Sequence, residues 1–252
     1  MHAYAQTNIQ LLNQLRRAGY SNADLEYLYR AYEVAIRLFT GRFRASGKTF
    51  IAHLVGTASV LAALRAPIAL IAAGLLHAAY AHGDFGKGRQ GISSAKRRKL
   101  KQSLGEEAEQ YIARYTAQPW NEQAISVTHD KLDTLNAIER DIILMHLANT
   151  LEDYLDLGMF YYDEPERQGH GRYTDTSAMF QVRIAEQLGF SSLAAELTRV
   201  FKEHTTADVP DALRRANHFS FTLPPGSYQR RPTAFFRVVL AACLQRLKAV
   251  LG

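Results

Sequence analysis

The stretch TFIAHLVGTASVLAALRAPIALIAAGLLHAAYAH, Thr49 to His82, decides how this chain folds. Its two apolar segments, Thr49 to Leu64 and Pro67 to His82, predict helices joined by a short turn at Ala66-Pro67. Proline suits the start of the second helix, where its missing N–H is not needed. The expected product is an antiparallel hairpin with His53 on one helix and His77 on the other. Two histidines held this way are a usual basis for a metal centre in an all-helical protein. A divalent metal that performs hydrolysis also needs carboxylates. Where those would be sought, the chain has Ala78 and Asn149.

Outward from the hairpin, helical periodicity dominates. Thr7 to Arg17 predicts a first helix, and Ser21-Asn22 a cap before Asp24 to Phe39. After a polar loop over Gly83 to Gly91, Ser93 to Ser103 and Glu106 to Thr116 predict short helices. Leu135 to Leu157 predicts one long helix, and Gly158 to Arg172 a loop rich in aromatic and charged residues. Ser177 to Leu188 and Ser191 to His204 form a pair split at Gly189. FSFTLPPGSYQRRP, Phe219 to Pro232, is extended and turn-rich, and Thr233 to Leu251 predicts a closing amphipathic helix. No convincing strand pattern or internal repeat is found. The expected class is all-α: a helical domain over residues 1–204, with an extension over 205–252 packed on it.

The 252 residues, 47% hydrophobic, suffice for one sizeable core. No apolar run is long and charge-free enough to span a membrane. MHAYAQTNIQ lacks the basic start and apolar centre of a signal peptide. The single cysteine, Cys243, excludes an intrachain disulfide and fits a reducing cytoplasm. A net charge of +6 favours anionic partners in general. Lys96-Arg97-Arg98-Lys99, with Lys101, is the densest basic run. It reads as the solvated face of a helix, and without interleaved aromatics nucleic acid is not an expected partner.

Five stretches carry a resemblance. RASGKTFIAHLVGTA (Arg44 to Ala58), LIAAGLLHAAYAHGD (Leu70 to Asp84), LKQSLGEEAEQYIARYT (Leu100 to Thr116) and HLANTLEDYLDLG (His146 to Gly158) are its core. MFQVRIAEQLGFSSLAAELTRVF (Met179 to Phe201) is a weaker fifth. In this order they resemble the hydrolase half of RelA/SpoT-type alarmone enzymes, a branch of the HD-domain phosphohydrolases, over roughly residues 20–204. The resemblance implies an HD-like helical bundle and a metal bound by His, His-Asp and a distant Asp. The histidines fall on His53 and His77, the first aspartate on Ala78 and the distant one on Asn149. The acidic pair that helps activate water falls on Ala81 and His82. Alanine offers no ligand and Asn149 only a neutral carbonyl, so hydrolysis by the family mechanism is not expected.

The implied ligand pocket keeps more of its residues. Arg44, Ser46 and Gly47 fall where the family clamps a nucleotide base and phosphate, and Lys48 adds charge; arginine both stacks and binds phosphate. Ordinary loop cations are the alternative. A rebuilt nitrogen-rich site could draw on His53, His77, His82 and His146 with Asp84 or Asp153. It would take zinc or iron ahead of manganese; otherwise no cofactor is expected. A metal-free enzyme could use His77 and His82 as acid and base, with His146, Asp84 or Asp153 in support. The expectation is a repurposed enzyme acting on a small anionic, phosphorylated or nucleotide-linked substrate, with Asn149 lining the pocket. A non-catalytic binding protein and a purely structural helical module are the competing readings. A homo-oligomer stays open.

Overall fold

The computed structural model describes residues 4–86, 90–158, 174–207 and 221–223. The chain is all-α. Helix α1 (Asn8–Arg17) opens on a Thr7 capping box, and α2 (Asn22–Phe39) on one formed by Ser21 and Asp24. Strand β1 (Arg42–Phe43) leads to α3 (Phe50–Ala63), capped by the Thr49 hydroxyl, which accepts from the Ala52 amide. Then come α4 (Ile68–Gly74), α5 (Ala79–His82), α6 (Ser94–Leu104), α7 (Glu106–Ala117) and α8 (Glu122–Lys131). Helix α9 (Ala137–Leu155) starts from a capping box between Asn136 and Glu139. Helices α10 (Asp175–Gln187) and α11 (Ser191–Thr206) follow, and strand β2 (Phe221–Thr222) lies beyond them.

Helix α3 is the axis of the bundle and packs against α1, α4 and α9, while α7 covers α4 and α9. Ala, Val and Leu fill most of its positions, so it can be enclosed on nearly every side. At Gly56 it meets α9 so closely that a Cβ would lie 2.6 Å from Cγ of Glu152. Glycine mid-helix costs about 1 kcal/mol against alanine; here it makes room for an acidic side chain inside the core.

The structure departs from the sequence reading in three places. Pro67 caps the second helix of the hairpin rather than entering it, and the segment to His82 is two helices, not one. The break has a local cause: Nδ1 of His77 donates to the Gly74 carbonyl at 2.7 Å, taking an acceptor that would have carried the helix onward. The intervening turn runs on i→i+3 bonds, Leu76 to Ala73 and Ala79 to Leu76. Second, α8 was not anticipated, its apolar residues being too sparse. Third, β1 and β2 pair antiparallel, Arg42 opposite Thr222 and Phe43 opposite Phe221. Two-residue strands have no periodicity to detect. Residues 159–173 and 224–252 lie outside the described residues, including most of the aromatic loop, Tyr161, Tyr162, Cys243 and the expected closing helix.

A half-buried ion system pins α5 to α6 and α7. The Tyr80 hydroxyl donates to Glu109 at 2.6 Å, and Arg97 donates to both oxygens of the same carboxylate, at 2.7 and 2.8 Å. Both Tyr80 and Glu109 are fully enclosed. Burial pushes the Glu109 carboxyl up, but the hydrogen bonds from Arg97 and Tyr80 outweigh it and hold the group below its usual range. The basic run of α6 is therefore largely engaged: Lys101 pairs with Glu106, and Lys96 and Lys99 lie over the Phe85 ring.

Candidate functional site

The short sheet shapes a loop. Phe43 bridges to Thr49, and inside that closure the Arg44 amide donates to the Lys48 carbonyl at 2.8 Å. Gly47, at φ +82°, completes the turn, a backbone conformation that side chains resist. Arg44 and Lys48 therefore point from one small loop toward the C-terminal turns of α9. There they meet Glu152 and Asp153.

Arg44 Nη1 donates to Asp153 Oδ1, contacts Nδ1 of His53, and lies 3.8 Å from Glu152 Oε2. Lys48 Nζ contacts Glu152 Oε1 and reaches Asp156 at 3.0 Å. His53 Nδ1 touches Glu152 Oε2. Across the same ring, His53 Nε2 stands 3.2 Å from Nε2 of His77. The Asn149 amide donates to Asp153 Oδ2 at 3.2 Å. His53 and Glu152 are 2% and 1% exposed, and Asp156 opens the cluster to solvent beside Ser46 and Gly158. Carboxylates near a helix C-terminus oppose the helix dipole, so the two cations are what makes burial tolerable here.

The hydrogen bonds order the protons. The Gly74 carbonyl can only accept, so Nδ1 of His77 carries a proton and Nε2 of a neutral His77 bears a lone pair. His53 then donates from Nε2, and the single lone pair of its Nδ1 faces the Arg44 guanidinium and protonated Glu152 together, taking a full hydrogen bond from one of them at a time. The electrostatics agree. Burial, reinforced by Asp153, pushes the Glu152 carboxyl up to about 7 despite Lys48 and Arg44. Burial, helped by the Arg44 charge, pushes His53 well below its usual value. The proton rests on the carboxyl and not on the imidazole.

A pH dependence follows. Folding raises the Glu152 pKa, so between about pH 4.5 and 7 the folded chain holds a proton that the unfolded chain has released. Stability therefore falls as pH rises through that window. His53 acts oppositely: below about pH 6.5 only the unfolded chain is protonated there, so stability rises toward that pH. Wild type has a nearly flat profile from these two groups. In Glu152→Gln only the His53 term remains. The stability difference, variant minus wild type, should climb from about pH 4.5 to 7 in urea melts. A flat difference would remove the raised carboxyl from the account.

The structure thus gathers Arg44, Lys48, His53, His77, Asn149 and Asp153, with Ser46 at the edge. It does not bring His82, Asp84 and His146 to them as a nitrogen-rich site would need. His82 packs on the Phe50 ring, and with Arg42, Asp84, Phe85 and Lys96 it lines another hollow of about 220 Å³. The early end of α5 turns it that way, and Asp84 caps the following turn by accepting from the Gly86 amide. His146 is sandwiched between Tyr115, centroids 4.1 Å apart, and Trp120, 4.7 Å apart; the Tyr115 ring stands between it and His77. Glu152 was missed. Its sequence signal was the acidic pair Glu152-Asp153 directly after the largely apolar run Ile142 to Leu151; that Gly56 lies opposite it is a property of the fold.

The implied family metal does not fit these residues. The Nε2 atoms of His53 and His77 have the separation of two ligands on one tetrahedral ion, roughly 3.3 Å. The carboxylates, however, gather at Nδ1, on the other side of the His53 ring. Ala78 supplies nothing, and the amide of Asn149 is turned to Asp153. Among the described residues no helix is long and apolar enough to cross a membrane.

Comparison with known proteins is partial. A family model described as a domain of unknown function, DUF6817, matches residues 36–119. Over 69 residues the chain is 38% identical to a bifunctional (p)ppGpp synthase/hydrolase RelA of Mycobacterium tuberculosis. It is equally identical over the same length to a probable GTP pyrophosphokinase of Mycobacterium bovis. The matched stretch is 27% of this chain and only 9% of either relative's length. A solved structure described as a metazoan ortholog of SpoT that hydrolyzes ppGpp aligns with a TM-score of 0.45 at 14% identity. That alignment covers 73% of this chain and 96% of that one.

Proposed function

We propose that Glu152, His53 and His77 form an acid–base site acting on a small anionic, phosphorylated or nucleotide-linked substrate, without a family-type metal. One observation carries the reading: two ionisable groups in contact whose pKa values are driven apart, Glu152 up to about 7 and His53 down. Buried pairs shifted in opposite senses are how proteins keep an acid and a base ready together near neutral pH. Glu152 supplies the proton, and the Nε2 lone pair of His77, which holds the His53 Nε2–H in the resting cluster, accepts one from water or substrate once that hydrogen bond opens. Lys48 and Ser46, at the solvent edge, suit an anionic group. The activity is hydrolase- or lyase-like. The local identity to a (p)ppGpp synthase/hydrolase puts guanosine polyphosphates first among candidates, followed by other nucleotides and sugar phosphates.

Product formation from that panel, with a parallel thermal-shift series, is the test. His77→Ala should lower turnover by roughly 10²–10⁴-fold while the ligand-dependent rise in Tm persists. A second reading has its own support: Arg44 and Lys48 already have carboxylate partners, so the cluster is satisfied without chemistry. A binding or regulatory protein of that kind would show the rise in Tm and no turnover in wild type. No rise with any of the panel would sink both readings and leave a structural module.

A further inference from the structure

We propose that the Arg44 guanidinium is a built-in cation seated in a latent divalent-metal site made by His53, Glu152 and Asp153. The donors of these three residues lie within 4.8 Å of one another, all buried. A single nitrogen, Arg44 Nη1, stands among them: in contact with His53 Nδ1 and Asp153 Oδ1, and 3.8 Å from Glu152 Oε2. That is where an ion bound by one imidazole and two carboxylates would sit. The latent site uses Nδ1 of His53, the face away from His77, and carboxylates three and four residues past Asn149. It is therefore not the site the sequence resemblance implies.

A second observation marks the same place. Oδ1 of Asn149, 4% exposed, has no hydrogen-bond partner among the described residues, while its amide nitrogen is fixed on Asp153. A neutral oxygen left over on a side chain bonded to Asp153 is a further donor for a cation. Charge explains why arginine fills the position. Glu152, Asp153 and Asp156 face Arg44 and Lys48, so the cluster is close to neutral as it stands. A divalent ion entering with Arg44 in place would leave excess positive charge in a buried space. Removing the guanidinium leaves an imidazole and two carboxylates short of one cation, the composition of a zinc or manganese site. This inference stands whether or not the cluster turns over a substrate.

Titration of the full chain with Zn²⁺ and with Mn²⁺, by calorimetry and by melting, tests it. Wild type and Arg44→Lys, which keeps the charge, should take up no stoichiometric ion. Arg44→Met should melt lower than wild type without metal and bind one equivalent. At an ion concentration about 100-fold above Kd it should regain roughly 5–10 °C. The gain should vanish in Arg44→Met/Glu152→Gln, which separates this site from adventitious surface histidines. Should Arg44→Met not fold alone, its recovery with zinc but not without supports the proposal equally, and Arg44→Gln repeats the test in a milder form. One equivalent bound by wild type and lost in His53→Ala would overturn it. So would Arg44 variants that remain blind to both ions.

Discussion

Replacing Arg97 with alanine lowers the unfolding free energy by about 2–3 kcal/mol, less than for a fully buried pair because Arg97 is 40% exposed and its loss admits water to the carboxylate. Glu109 is fully enclosed and takes two hydrogen bonds from Arg97. Lys101, 3.8 Å away, is too distant to replace them. At about 2–4 °C per kcal/mol for a chain of this size, Tm falls by roughly 4–12 °C. The loss belongs to the unpaired charge more than to missing contacts, and two results separate these causes. The double variant Arg97→Met/Glu109→Gln keeps an acceptor for the Tyr80 hydroxyl and removes the charge, so it should recover most of the stability. The gap between Arg97→Ala and wild type should also narrow as pH falls, because a protonated Glu109 no longer needs its cation. Wild type loses the Glu109 contribution in the same direction, since that pKa is depressed in the folded chain. A double variant no better than Arg97→Ala would show that packing, and not charge, was decisive.

Asp153→Ala is the second large effect, about 3–5 kcal/mol, because it strips the closest partner from a buried guanidinium. It also orphans the Asn149 amide. Asp153→Asn separates charge from shape. The asparagine oxygen still accepts from Arg44, so the cost falls to about 1–3 kcal/mol, the range for an imperfectly satisfied buried group. Removing the Asp153 charge also removes one of the causes that raise the Glu152 carboxyl. In Asp153→Asn, therefore, Glu152 titrates below its wild-type position of about 7, which carboxyl carbon NMR would follow directly. Equal losses from the two substitutions, with the Glu152 titration unmoved, would contradict this account of the cluster.

The all-α class was legible because apolar periodicity is a property of whole helices, and α2, α7 and α11 carry it over several turns, while α3 and α9 are apolar on nearly every side. The helix cap at Ser21 was legible from its local sequence, whereas Thr49, read as the first helical residue, is the cap of α3. What escaped was whatever depended on one specific side-chain contact or on a pairing across the fold. The break after Gly74 is made by His77 reaching back to one carbonyl, and β2 exists only because residues 221–222 meet Arg42–Phe43 far along the chain. Around the site, His53, His77 and Asp153 could be named from type and spacing, and Arg44 only through the family resemblance. Their partition could not. Which face of the His53 ring meets the carboxylates depends on how α3 crosses α9 at Gly56, and that crossing also brings in Glu152. A search for lost acidic positions looked one helical turn too early, at Asn149. It therefore missed that acidic groups reappear at the next turn, already matched by cations.

The sandwich around His146 has an optical consequence. The chain has a single tryptophan, and it is Trp120, stacked at 7° on His146, which stacks in turn on Tyr115, beside His77 and His53. All ultraviolet emission excited at the red edge of the indole band therefore comes from one ring at the end of a row leading into the ion cluster. Any event that tilts or charges the imidazoles changes the quenching of that one emitter. Occupancy of the site can thus be followed in the unlabelled protein, at micromolar concentration and in real time, without first knowing what the occupant is.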